Sequence, residues 1–283
     1  MHIVVATSIY RQPLWMVQQA IASVRAQTHQ DLSLILRIDG PGACGEDLGR
    51  WLQDEAARDR RLTVLVGRRN LGNFGSLNRM LRQAEAEAFA QLDGDDVLDP
   101  QALALCAEAL REHPSCSFVY SRYEEIDQKG ALIGQGDRSL TPYSPLASLV
   151  QFIPFHLRLV RMSSYRAIGG YRAEFPYAGD YDLSLRLAEI GDVAHLPRTL
   201  YRHRLHTASA SSVDRQRTVA EAYAVAREAL YRRGWADRFR LQLNFDGRVS
   251  LHPQSDGPPD PTGAASDPYR LYRVGPWAMA PSP

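Results

Sequence analysis

Three carboxylates fall within four positions at Asp93-Gly94-Asp95-Asp96. Ionised carboxylates packed this closely repel one another unless a cation or solvent relieves them. Oxygen donors with positions left over for phosphate oxygens suit Mg²⁺ or Mn²⁺. Such a metal stabilises the negative charge on a departing diphosphate. The competing reading is a solvated turn, for which Asp and Gly are ordinary residues, leading to a helix start at Asp99-Pro100. A second acidic pair, Asp180-Tyr181-Asp182, stands ahead of a helical stretch. Asp180 there is either a helix cap or a general base for a hydroxyl proton. A base role calls for a partly dry site that raises its pKa. A third cluster runs Tyr201-Arg202-His203-Arg204-Leu205-His206-Thr207-Ala208-Ser209. Arg202 and Arg204 could hold a diphosphate through charge-assisted hydrogen bonds, and His206 could ligate a metal. The alternative is a solvated basic edge.

The elements that must position these groups alternate. Apolar, β-branched runs at His2–Thr7, Leu32–Ile38, Leu62–Val66, Ala88–Leu92 and Cys116–Tyr120 read as strands. Helical patterns lie between them: one after Pro13 with Val17, Ala20, Ile21 and Val24 on one face, then Glu46–Arg58, Phe74–Glu87 and Pro100 to His113. Alternation at this pitch predicts a parallel α/β sheet, whose ligands bind outside the carboxyl ends of its strands. That places function at Thr7–Tyr10, Asp39–Gly42, Gly67–Gly72 and Asp93–Asp96. Further on, Asp127–Gly130 reads as a hairpin turn and Asp182–Ile190 as a helix. Val193–Leu196 and Thr199–Arg202 read as short strands, and Val213–Arg233 as a long amphipathic helix. From Asn244 the composition changes: eight of the 17 prolines lie between Pro253 and Pro283, which predicts an extended or disordered tail.

Taken in this order, the motifs resemble the family 2 glycosyltransferases of the GT-A fold over residues 1–212. The likeness rests on Tyr10 after the first strand, Asp39 after the second, Arg69-Asn70-Leu71-Gly72 with the later Asn78, and Asp93-Gly94-Asp95-Asp96. It continues through Gly169-Gly170-Tyr171, Asp180-Tyr181-Asp182-Leu183 with Arg186-Leu187, and Tyr201-Arg202 with His206-Thr207-Ala208-Ser209. Gly179 stands where the family usually has Glu, and the Pro and Asn of its first segment are missing at Thr7-Ser8-Ile9-Tyr10. The resemblance implies that Tyr10, beside Thr7, stacks on the nucleobase and Asp39 bonds its polar edge. Arg69, Asn70 and Asn78 would line the nucleotide pocket. Asp95 and Asp96 would reach ribose and metal, with Asp96 the better metal candidate and His206 a further ligand. Asp93, Gly170, Asp182, Arg202 and Arg204 would border the diphosphate or acceptor, and His156, Arg158 and Arg161 could join the acceptor side. Asp180 would deprotonate the acceptor for an in-line, inverting displacement. Trp15 and Phe74 are packing residues before they are sugar platforms.

The implied organisation is a nucleotide-sugar-binding half at 1–120, an acceptor half at 121–212, a helical region at 213–243 and the proline-rich tail at 244–283. The net charge of +1 gives no electrostatic case for nucleic acid as a partner. Cys44, Cys106 and Cys116 fit no disulfide or zinc pattern, which favours a reduced, cytoplasmic setting. No apolar run approaches a membrane span, though peripheral membrane contact and homo-oligomer formation stay open. The donor would be a nucleotide sugar, UDP-linked by preference. The acceptor could be a glycan, a lipid-linked sugar, a small molecule or a protein. A nucleotidyltransferase would carry a Gly-rich loop after the first strand, and Thr7–Gln12 has no Gly. A non-catalytic nucleotide-sugar scaffold is the remaining alternative.

Overall fold

The computed structural model describes residues 1–206 and 214–254. The Thr207–Ser209 end of the third cluster and the prolines beyond position 254 lie outside the described residues. The chain runs β1 (Ile3–Ile9), α1 (Leu14–Arg25), β2 (Leu32–Ile38), α2 (Glu46–Arg58), β3 (Leu62–Val66), α3 (Gly72–Leu81) and β4 (Ala88–Gln91). It continues with β5 (Val97–Leu98), α4 (Ala102–Glu112), β6 (Cys116–Ile126), β7 (Leu132–Gln135), β8 (Arg158–Arg161), α5 (Met162–Ala167) and α6 (Gly179–Leu187). β9 (Asp192–Arg204), α7 (Arg215–Arg232), β10 (Phe239–Leu243) and β11 (Val249–Pro253) complete it.

The main sheet has the order β3-β2-β1-β4-β8-β6-β9-β5, with β7 paired to β6. β1 to β4 are mutually parallel, as the alternation predicts. β8 enters antiparallel between β4 and β6 and makes the sheet mixed. β1 is buried along almost its whole length, since helices cover both faces. Its alternate side chains serve two cores. Ile3, Val5 and Ile9 meet Val17, Ile21, Leu52 and Leu103 on one face. Val4 and Ala6 meet Phe74, Leu77, Met80 and Leu183 on the other.

Three local outcomes depart from the sequence pattern. α3 ends at Leu81 rather than Glu87, because the backbone at Glu87 and Ala88 is taken into the sheet by His2 and Met162. Pairing overrides a helix-favouring composition there. The two short strands at 193–202 are one strand, β9, which passes Pro197 where the register against β6 shifts. A proline lacks the ladder N–H and is tolerated at such a shift. The extended reading of the tail from Asn244 fails for its first part. Residues 239–253 form the hairpin β10–β11, with Gly247 at φ 82° in its turn.

This hairpin and α7 build a third core on α6, where Tyr181 and Leu185 meet Val225, Ala229, Leu230 and Leu241. No helix among the described residues is long and apolar enough to cross a membrane. Leu230 is 3% exposed. Leu230→Ala should therefore cost about 2–5 kcal/mol in a urea titration, the usual range for a buried leucine; an unchanged midpoint would mean that α7 is not anchored on α6.

Candidate active site

The mouth of the site lies at the carboxyl ends of β1, β2 and β4. Asp39, at the end of β2, is 2% exposed. Its Oδ1 accepts from the Leu71 N–H at 2.8 Å and from the Arg37 guanidinium. Arg37 also donates to Ser76 Oγ on α3 and to the Arg69 carbonyl. One carboxylate–guanidinium pair thus joins β2, α3 and the loop at 67–71. Gly40 is obligatory at that junction: it has φ +103°, and a Cβ there would stand 2.6 Å from the Asn70 nitrogen. Tyr10 is 44% exposed at the rim, beside Arg11, whose guanidinium lies 5.1 Å from the ring centre. Thr7 is buried within β1. Asn70 accepts from the Gly72 N–H at the start of α3, and Arg69 is exposed.

Asn78 holds a different position from the one expected. Its Oδ1 accepts from Tyr165 Oη at 2.6 Å and from the Tyr171 N–H at 3.0 Å, and its Nδ2 donates to the Tyr171 carbonyl. It therefore clamps the Gly169-Gly170-Tyr171 turn instead of facing a nucleotide. Gly170 has φ +80°, and a Cβ there would reach within 2.8 Å of Asn78 Oδ1. Asp182 supports the same turn. It is fully buried and accepts from Arg172 and Arg186, and Arg186 donates to the Ile168 and Gly170 carbonyls. Asp182 is a structural ion-pair hub, not an acceptor contact.

The acidic loop divides its three carboxylates. Asp96 is 1% exposed, with Oδ2 accepting from Tyr201 Oη and Oδ1 from the Arg204 N–H, both at 2.7 Å. Both oxygens are committed to β9, so Asp96 is poorly placed as the metal residue. Burial, with Asp95 and Asp93 nearby, raises its pKa well above the usual carboxylate range. Asp95 turns toward the mouth, where Oδ2 lies 2.7 Å from His206 Nε2. Asp93 accepts from Gln91, whose Oε1 in turn accepts from Tyr171 Oη. Burial and Asp95 push Asp93 up to about 6.

Arg204 and Arg202 are both occupied away from the mouth. Arg204, 1% exposed, donates to the Asp95, Asp127 and Gln128 carbonyls and to Gln19, and stands 5.2 Å from the Trp15 ring centre. Arg202 pairs with Glu124 on the surface. Neither is free for a diphosphate.

Asp180 sits in the first turn of α6 with its side chain 16% exposed. Oδ1 accepts from the Tyr181 N–H, and Oδ2 lies 3.7 Å from Arg158 NH2. Burial raises the Asp180 pKa, while Arg158 and then Arg138 oppose that rise. Arg158 is 3% exposed; its NH1 donates to the Pro154 and Phe155 carbonyls and its NH2 makes no hydrogen bond. His156 and His203 also keep an unpartnered, buried Nδ1, and burial takes His203 down to about 4. His156 stacks on Tyr201 at 4.5 Å. His156 and Arg158 are two of the three residues offered for the acceptor side from the sequence. Arg138, whose guanidinium lies 4.3 Å from the Phe155 ring centre, was not among them. Arg161 is occupied elsewhere, donating to the Leu110 and Cys116 carbonyls.

Among the described residues no three His, Cys, Asp or Glu side chains converge as a metal cluster. Asp95 and His206 form a pair of oxygen and nitrogen donors at the mouth. That pair fits a divalent ion that completes its shell with phosphate and water oxygens.

A family model described as Glycosyl transferase family 2 matches residues 5–169. Chondroitin synthase of Escherichia coli is 28% identical over 218 residues, 77% of this chain and 31% of that protein. Hyaluronan synthase of Pasteurella multocida is 26% identical over 190 residues, 67% of this chain and 19% of that protein. The chain thus spans less than a third of the length of these curated relatives. Among solved structures, S. aureus TarS superposes with a TM-score of 0.63 at 16% identity, over 81% of this chain and 40% of that one. A Pyrobaculum calidifontis mannosyltransferase in complex with GDP-Man and Mn²⁺ gives 0.60 at 14%, over 83% and 75%.

The missing Glu at position 179 has a local cause. A Cβ on Gly179 would lie 2.4 Å from the Phe74 ring, which is stacked on Tyr171. Gly179→Ala should destabilise by about 1–3 kcal/mol through overpacking. Phe74→Leu should absorb part of that cost, so a denaturation double-mutant cycle should show coupling of about 0.5 kcal/mol or more. Strict additivity would mean that the ring does not decide the residue at 179.

Proposed function

The chain belongs to glycosyl transferase family 2, and on that premise we propose that it moves a sugar from a nucleotide diphosphate, UDP by preference, to an acceptor hydroxyl with inversion at the anomeric carbon. The observation that carries this reading is the division of carboxylates at one mouth. Asp95 with His206 is assigned to the donor side, and Asp180, as little exposed as Asp95, lies against a buried guanidinium. The fold also supports it, since TarS residues 1–349 were solved with UDP-GlcNAc and share it with a TM-score of 0.61.

In this mechanism Tyr10 stacks on the base, and Asp39, whose protein contacts both fall on Oδ1, offers Oδ2 to the base edge. Asp95 and His206 would hold Mg²⁺ or Mn²⁺, which when bound neutralises charge on the diphosphate. Asp180 Oδ2 takes the acceptor hydroxyl proton. The acceptor oxygen bonds to the anomeric carbon as the bond to the diphosphate oxygen breaks, and the electron pair leaves with the nucleotide. No covalent sugar–protein intermediate forms. Arg158 keeps Asp180 oriented and ionised, while Phe155, His156 and the rings packed around Tyr201 keep bulk water from that side. The glycan, lipid-linked, small-molecule or protein nature of the acceptor is left to assay.

Asp180→Asn should cut transfer by about 10²–10⁴-fold, the usual contribution of a general base, with donor binding retained. Asp95→Asn should instead abolish the metal-dependent rise in melting temperature on adding UDP, worth about 2.7 kcal/mol at 100 times Kd. Normal turnover in both variants would sink the assignment. The base must be ionised, so activity falls as pH drops through the raised Asp180 pKa. Arg158→Met removes the opposing charge and should move the acid limb of kcat/KM to higher pH, while Arg158→Lys should move it less. Asp93 and Arg138 also face this carboxylate and stay unchanged in both variants.

A further inference from the structure

β3 is the edge strand of the sheet and pairs only with β2. Between it and the outer side of α3 lies a cleft of about 610 Å³. Arg68 and Arg69, from the loop after β3, border its upper end, and Arg79 and Gln83 border it along α3 and just beyond. Its floor is apolar, formed by Leu65 and by Val66, which is 68% exposed. The Arg68, Arg69 and Arg79 guanidinium groups have no carboxylate or other hydrogen-bond partner among the described residues. Arg37 also borders the cleft but is matched by Asp39.

Three exposed arginines without a carboxylate partner thus stand around one concavity. A concave wall focuses their field and attracts anions. Guanidinium forks match the planar, bidentate geometry of carboxylate, sulfate and phosphate oxyanions. The cations are spread along a groove instead of converging on a point, and Arg79 and Gln83 are four residues apart, about one helical turn. An apolar floor, an amide and separated cations together complement a ligand with a C–H face, hydroxyl groups and spaced oxyanions. That combination describes an acidic sugar chain better than an isolated phosphate.

We propose that the α3–β3 cleft binds an acidic saccharide, carrying carboxylate or sulfate groups, at a site separate from Asp180 and from the Asp95–His206 pair. The cleft begins beside the carboxyl end of β3 and extends along α3 to Gln83, and neither Asp180 nor the Asp95–His206 pair lines it. The inference does not depend on the transfer chemistry, because the transfer mechanism uses none of Arg68, Arg79 and Gln83.

The test is isothermal titration of the full chain with a hyaluronan hexasaccharide in the absence of donor and metal. Binding should occur, and it should weaken as salt is raised. It should fall at least about tenfold in Arg68→Gln with Arg79→Gln, the loss expected for charge-assisted hydrogen bonds. It should persist in Asp95→Asn. Both arginines are exposed, so an unchanged melting temperature in the double variant checks the fold, and Gln83→Ala serves as a milder second variant. Four results would overturn the proposal: no binding, equal binding of a neutral maltohexaose, inorganic pyrophosphate binding as tightly as the hexasaccharide, or association with anionic lipid vesicles alone. If Asp180→Asn proves fully active while the hexasaccharide binds as described, the transfer mechanism fails and the cleft stands.

Discussion

The buried contact of Asp96 with β9 is the constraint on which the rest of the site depends. One carboxylate accepts hydrogen bonds from the Tyr201 hydroxyl and from the Arg204 backbone N–H. These bonds fix the acidic loop to a strand more than a hundred residues away. Burying this carboxylate is expensive, as its raised pKa records, and the two bonds offset part of that expense. Arg204 strengthens the joint from the other side by donating to the Asp95 carbonyl. With Asp96 held inward, its neighbour Asp95 points outward to His206. The geometry of the mouth follows from which of two adjacent aspartates the protein keeps for itself.

The same division recurs at Asp180-Tyr181-Asp182. Asp182 is consumed by Arg172 and Arg186, which lets it brace the Gly169-Gly170-Tyr171 turn. Asp180 keeps an oxygen that meets only a guanidinium at 3.7 Å. In both motifs a carboxylate with saturated bonding supports one whose bonding is incomplete. Removing a supporting acid would leave a buried, unmatched guanidinium or hydroxyl, so its loss would mimic a catalytic defect.

Much of this was legible in the sequence, and the reasons are physical. Periodicity exposed the strands because a buried parallel sheet needs continuous apolar runs, and Leu32–Ile38 and Leu62–Val66 match their observed bounds. The positions of Asp39, Asp95 and Asp180 near strand or helix ends followed from the same alternation. What could not be read was the direction of each side chain. Asp95 and Asp96 are alike on paper, and only the packing of β9 separates them. Arg202, Arg204 and Asn78 looked like ligands for an anion or nucleotide because their chemistry suits one, yet Glu124, backbone carbonyls and Tyr171 claim them. The hairpin after Asn244 was hidden by a composition averaged over a proline-rich stretch. Arg158 was placed on the acceptor side from the sequence, but its approach to Asp180, and the presence of Arg138, became visible only in the fold.

β9 also sets a temporal order. Asp95 and His206 are 111 positions apart in the chain. Ribosomes deliver β1 to β4 first, and those strands can pair while the remainder is still being made. Until residue 206 has left the exit tunnel and β9 has docked beside β6, the acidic loop has no partner for Asp96 and no imidazole for Asp95. A nascent chain therefore carries an immature, electrostatically frustrated loop for much of its synthesis. Closing that long-range contact late makes it a slow step of folding, as expected for pairings distant in sequence.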